Sequence, residues 1–227
     1  MMTHTDPHQN QPVLTAGAPL DRARAAVVMV HGRGATATDI LGLADQFDLA
    51  DLAYLAPQAA GNTWYPNRFM APLASNEPFL SSALASLDAL VQRLTDATIA
   101  PERIVLLGFS QGACLALEYA ARHARRYGGL IGFSGGLIGP PGTQFDYPGS
   151  LAGTPVFLGC SDVDAHIPVE RVHETADCLR RLGGNVMVNI YPGLAHTINR
   201  DELTVAQRLL AVVGAPATAG SAWRRDT

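Results

Sequence analysis

The chain has 227 residues, 48% of them hydrophobic, and a formal net charge of −4 at pH 7. That length suits one domain with short tails, and the apolar content is enough for a core on both faces of a sheet. Its 16 basic residues are scattered, which argues against a nucleic-acid or acidic-membrane partner. No apolar run reaches the length of a membrane span.

Residues 1–12 are polar, with no basic start and no apolar stretch, so they read as a disordered leader rather than a secretory signal. His4 and His8 have i, i+4 spacing, but Pro7 interrupts it and no metal site is expected there. The three cysteines, Cys114, Cys160 and Cys178, fit neither a zinc spacing nor a disulfide framework. They suit a reducing compartment, and the expected location is the cytoplasm.

From residue 13 to 214 apolar runs alternate with helical patterns. Residues 25–30 form a continuous apolar strand ending in His31-Gly32. Residues 39–49 are periodic, with Ile40, Leu43, Ala44 and Phe47 on one face. A strand over 52–56 is closed by Pro57, and 77–97 is a long amphipathic helix carrying Leu80, Leu84, Leu87, Val91 and Leu94. Strands follow at 103–107, 130–133, 155–159 and 186–191, with helices at 113–122, 169–182 and 201–213. Gly183-Gly184 caps the helix before it. The alternation predicts an α/β fold, a mainly parallel central sheet with helices on both faces. Residues 215–227, rich in Ala, Gly, Ser and Arg, read as a flexible tail.

Two Gly-x-Ser-x-Gly pentads occur: Gly108-Phe109-Ser110-Gln111-Gly112 and Gly132-Phe133-Ser134-Gly135-Gly136. A nucleophile elbow needs a strand before it and a helix after it. The first pentad has both. The second runs into Leu137-Ile138-Gly139-Pro140-Pro141-Gly142, which cannot continue as a helix. Ser110 is therefore the expected nucleophile, and Ser134 a strand-end residue.

A serine nucleophile needs a histidine base and an acid that orients it, in chain order Ser, acid, His. After the 155–159 strand, Asp162 and Asp164 compete for the acid. His196 lies one loop beyond the 186–191 strand and is the expected base. His123 and His173 sit on helices away from the elbow, and His166 lies in the acid loop as a binding or surface residue. The oxyanion hole should draw one backbone N–H from Gln111 and one from Arg33, in the loop after the first apolar strand. The Arg33 side chain is then free, for an anionic substrate group or as a surface charge.

Together, His31-Gly32-Arg33-Gly34, Gly108-Phe109-Ser110-Gln111-Gly112, the 159–168 loop and the 193–196 loop resemble the phospholipase/carboxylesterase family of small serine hydrolases, which includes acyl-protein thioesterases. The resemblance covers about residues 20–213 and implies an α/β-hydrolase fold without a large lid domain. The family's acid stands four residues before the final proline of its loop, and counting back from Pro168 selects Asp164. Ala165 departs from the proline usual after the acid. Arg33 stands where the thioesterases carry an apolar residue, so the chain is more similar to the bacterial small-ester branch.

The aromatic-rich 64–72 segment is expected to line an acyl pocket through Trp64, Phe69 and Met70, with Leu137, Ile138 and Ile167 as further pocket candidates. The expectation is a carboxylesterase for short to medium acyl esters, with a small-molecule partner and no metal or organic cofactor. The resemblance also implies a homodimer as one option. A thioesterase or lysophospholipase is the alternative within the family. A dienelactone-type hydrolase would normally carry Cys at the elbow, and a non-hydrolytic ligand-binding protein on the same fold is the remote rival.

Overall fold

The computed structural model describes residues 6–215. A seven-stranded sheet forms its centre, in the order β1-β3-β2-β4-β5-β6-β7. β1 (Val13–Gly17) pairs antiparallel with β3 (Leu52–Pro57). β2 (Ala25–Val30), β4 (Ile104–Phe109), β5 (Gly129–Phe133), β6 (Pro155–Ser161) and β7 (Asn185–Tyr191) extend the sheet in parallel. The central strands are buried on both faces, as continuous apolar runs predict.

Side chains alternate along each strand, so each strand feeds two cores. On β2, Ala26, Val28 and Val30 join the core under α2 (Phe79–Asp96), α3 (Gln111–Arg122) and α4 (Val169–Arg181). Ala25, Val27 and Met29 join the opposite core, under α1 (Ala37–Leu41) and α5 (Arg200–Gly214). Among the described residues no helix is long and apolar enough to cross a membrane.

Two expectations need correction, and one strand has no counterpart among the expected elements. The 39–49 helix is two pieces, α1 and a 3-10 turn over Gly42–Gln46. Gly42, a poor helix former, sits at the junction, and Thr36 with Asp39 fixes the start as a capping box. β1 carries no clear apolar alternation, and its place is set by pairing with β3. Residues 6–12 pack on the body instead of standing off it as a disordered leader. His8 is only 3% exposed, its backbone N–H donates to Ser82 Oγ at 2.9 Å, and Asp6 accepts from the same hydroxyl. Polar residues can be buried where every polar atom finds a partner, so composition alone misread this segment. Residues 1–5, His4 included, and the 216–227 part of the expected tail lie outside the described residues.

The strand order reverses at β2 and β4. The connection from β2 leads toward β3, and that from β4 toward β5. Loops at the carboxyl ends of these neighbours diverge and leave a crevice, where ligands bind in open α/β sheets.

Candidate active site

At the end of β4 the chain makes the turn that the first pentad predicts. Ser110 has φ 55° and ψ −121°, a strained conformation for a residue with a Cβ. Its flanking glycines permit this. A Cβ on Gly108 would collide with the Gly112 carbonyl, and one on Gly112 with the Val30 and His31 carbonyls. α3 can therefore start against the end of β4 only with glycine at 108, and against the end of β2 only with glycine at 112. Ser134 sits just beyond β5, 1% exposed, with its N–H donated to the Gly159 carbonyl at 2.7 Å. It is a strand-end residue, as expected.

The sequence-predicted groups meet at the elbow. Ser110 Oγ lies 2.8 Å from His196 Nε2, and His196 Nδ1 lies 2.7 Å from Asp164 Oδ2. Asp164's side chain is fully buried, and its other oxygen accepts the backbone N–H groups of His166 at 2.8 Å and Ile167 at 3.0 Å. Burial raises its pKa, but the hydrogen bond from His196 and the two backbone donors outweigh burial and hold it below the ordinary carboxylate range. Asp162, the competing acid, takes a different part: its Oδ1 accepts the Gly193 N–H at 2.8 Å and ties down the loop that carries His196. Phe109 and His166 flank the His196 ring at centroid distances of 5.0 and 4.7 Å.

The loop ends in a capping box at the start of α5, where Asn199 Oδ1 accepts the Glu202 N–H and Glu202 Oε2 accepts the Asn199 N–H, at 2.9 and 2.8 Å. Glu202 is fully buried and its Oε1 has no hydrogen-bond partner. Burial pushes its pKa up to about 7.

The backbone N–H groups of Arg33 and Gln111 have no acceptor among the described residues. Both belong to segments against Ser110: a Cβ on Gly32 would lie 3.4 Å from Ser110 Cβ. His31, fully buried, holds this loop. Its Nδ1–H donates to the Gly32 carbonyl at 2.8 Å and its Nε2 accepts the Ala59 N–H at 3.1 Å, a pairing only the neutral ring can make. Burial lowers its pKa accordingly.

Three side chains clamp the 63–67 segment over this loop, and sequence reasoning missed all three roles. Gln111 Oε1 accepts from Trp64 N–H at 2.9 Å and Thr63 Oγ at 3.2 Å, while Nε2 donates to Tyr65 O at 2.8 Å. Arg33 donates to Thr63 Oγ1, Pro66 O and Asn67 O at 3.1, 2.9 and 2.6 Å. His8 donates from Nε2 to Trp64 O at 2.9 Å and accepts the Ala60 N–H on Nδ1 at 3.1 Å. Burial lowers the His8 pKa as well. No local pattern announces these contacts, because each joins segments distant in the chain.

A cleft of about 510 Å³ opens on Ser110 and His196. Of the pocket residues expected, Phe69 and Ile167 line it; Trp64, Met70, Leu137 and Ile138 do not. Trp64 is fully buried with its indole N–H on the His31 carbonyl at 2.8 Å. Met70 packs against the core from its edge. Leu137 and Ile138 are drawn inward because their N–H groups donate to Thr175 Oγ1 and Glu118 Oε2, at 2.9 and 3.0 Å. Buried Arg171 then binds the Leu137, Gly139 and Pro140 carbonyls. The walls instead include Tyr65, Asn67, Arg68, Phe109, Cys114 and His166.

Residues 14–213 match the phospholipase/carboxylesterase family. The crystal structure of a phospholipase/carboxylesterase from Dyadobacter fermentans is 44% identical, covers 92% of this chain and 98% of that one, and superposes with a TM-score of 0.85. Acyl-protein thioesterase 1 of Saccharomyces cerevisiae is 27% identical over 216 residues, 84% of this chain and 93% of the yeast protein. That of Gibberella zeae is 32% identical over 123 residues, a match spanning 53% of this chain and about half, 52%, of the fungal protein. With its mostly parallel sheet, helices on both faces and a serine at the elbow after β4, the chain has the α/β-hydrolase fold and belongs to the phospholipase/carboxylesterase family.

Proposed function

We propose that the chain is a serine carboxylesterase that hydrolyses short to medium acyl esters through an acyl-enzyme intermediate. The observation that carries this is the unbroken hydrogen-bond chain from Ser110 through His196 to Asp164. In this reading Ser110 Oγ attacks the ester carbonyl while His196 Nε2 takes its proton. Asp164 fixes the proton on Nδ1 and stabilises the imidazolium. The Arg33 and Gln111 N–H groups receive the developing oxyanion. His196 then protonates the leaving alcohol, and a water deprotonated by His196 releases the acid.

Short substrates are favoured by the walls. Leu137 and Ile138 are packed away, and Arg33, Asn67, Arg68 and His166 interrupt the apolar lining that Phe69, Phe109 and Ile167 provide. A cytoplasmic setting fits three buried, unbridged cysteines.

The second reading is a thioesterase, favoured by the yeast and Gibberella zeae relatives' names. Hydrolysis of p-nitrophenyl esters and matched acyl thioesters across acyl lengths from about 2 to 16 carbons separates the two. The esterase reading predicts a short-chain oxygen-ester maximum that Ser110→Ala abolishes. A long-chain thioester maximum would replace it with the thioesterase reading.

A further inference from the structure

The cleft carries positive charge with nothing to cancel it. Four arginines elsewhere meet carboxylates, Arg24 with Asp51, Arg122 with Glu118, Arg171 with Glu174 and Arg180 with Asp177; the two at the cleft do not. Among the residues lining the cleft are Arg33 and Arg68, and no Asp or Glu. Asp164, the acid nearest in the site, is fully buried and committed to His196 and two backbone N–H groups. All of Arg33's hydrogen-bond partners are neutral, two carbonyls and a hydroxyl, so they fix its position without neutralising it. They leave its Nε–H and one Nη2–H unused. Arg68, exposed and next to the clamped segment, has no hydrogen bond or ion pair from its guanidinium among the described residues. In a protein of net charge −4, two uncompensated guanidinium groups stand at one concave, partly apolar site. Such a cleft concentrates field lines and attracts anions.

We infer that this cleft selects small esters bearing a second, anionic group, a carboxylate within a few bonds of the scissile carbonyl, with Arg68 as its contact. Arg33 contributes a fixed positive field from its clamped position. A guanidinium suits this task because its planar fork can meet a carboxylate with two parallel N–H donors. The inference deepens the esterase reading and rests on it for the reaction.

The test compares p-nitrophenyl hemiglutarate, which is anionic, with p-nitrophenyl pentanoate, its neutral counterpart, on wild type and Arg68→Gln. The readout is the ratio of kcat/KM, anionic over neutral. A hydrogen-bonded ion pair at a partly exposed site predicts a wild-type ratio on the order of ten at low salt. It should shrink in 0.5 M NaCl, fall toward one in Arg68→Gln and recover partly in Arg68→Lys. A wild-type ratio at or below one, or a ratio unchanged by Arg68→Gln, overturns the inference. Failure of the esterase reading looks different: neither ester is cleaved. Calorimetric titration of glutarate then decides the anion site. Binding that Arg68→Gln removes supports it, and no binding overturns it.

Discussion

Glu202 lies behind the His196 loop as a buried carboxyl with one satisfied oxygen and one orphan. Its Oε1 faces the Cα of Gly159, where even a methyl group would not fit, so no water or side chain stands between them. Burial, reinforced by the neighbouring Asp201 charge and only partly offset by the Asn199 N–H, raises its pKa from 4.5 to about 7. The folded state therefore holds a proton that the unfolded chain has released between those values. The contribution of Glu202 to stability falls as pH rises through that window, and its full cost is present above about pH 7. At about 1.4 kcal/mol per pH unit, the cost is about 3 kcal/mol.

Glu202→Gln keeps the Oε acceptor for the capping box and removes the charge, but leaves an amide donor facing Gly159. That residual penalty reduces the expected gain at pH 8 to about 1–2 kcal/mol, or roughly 2–8 °C in Tm for a domain of this size. At pH 4.5 the gain should vanish or reverse. Thermal melts of wild type and variant at pH 4.5, 6 and 8 check this. A Tm difference that is the same at all three would refute the reasoning, since a purely steric effect has no pH dependence.

The remaining predictions address the elbow, the N-terminal segment and the two aspartates. Gly112→Ala drives a Cβ into the Val30 carbonyl and should cost at least about 3 kcal/mol or prevent folding, read by denaturant titration. His8→Ala leaves the Ala60 N–H and Trp64 carbonyl without their partners and should cost about 2–4 kcal/mol. Burial lowers the His8 and His31 pKa values, so their contribution runs opposite to that of Glu202: it is lost as pH falls below about 6.5, where the unfolded imidazoles take protons that the folded ones resist, and the stability gap between wild type and His8→Ala should narrow there. Asp164→Asn should lower kcat by about 10⁴, as expected for loss of the group that orients the base. Asp162→Ala, which frees only the Gly193 N–H, should lower it by about tenfold.

What the sequence made legible was local. The β4-elbow-α3 unit is readable because strand, glycine spacing and helix are contiguous, and each glycine answers a contact only a few residues or one strand away. Ser134 could be set aside on the same ground, since the Pro140-Pro141 segment forbids a helix. Asp164 and Asp162 were not separable from residue pattern alone, because what distinguishes them is which one faces His196 and which one faces Gly193. The pocket was misread at Leu137 and Ile138, whose direction is set by Thr175, Glu118 and Arg171 from two other helices. The same holds for His8, a polar residue in a polar segment whose burial depends on carbonyl and amide partners more than fifty residues away.

The central claim is that Ser110 is the nucleophile of a Ser110-His196-Asp164 relay. Reaction with a fluorophosphonate, followed by mass mapping of the modified peptide, tests it most directly. The account predicts one adduct per chain, on Ser110, absent in Ser110→Ala and slowed at least about a thousandfold in His196→Ala. An adduct on Ser134, or ester hydrolysis that survives in Ser110→Ala without any adduct, would contradict it.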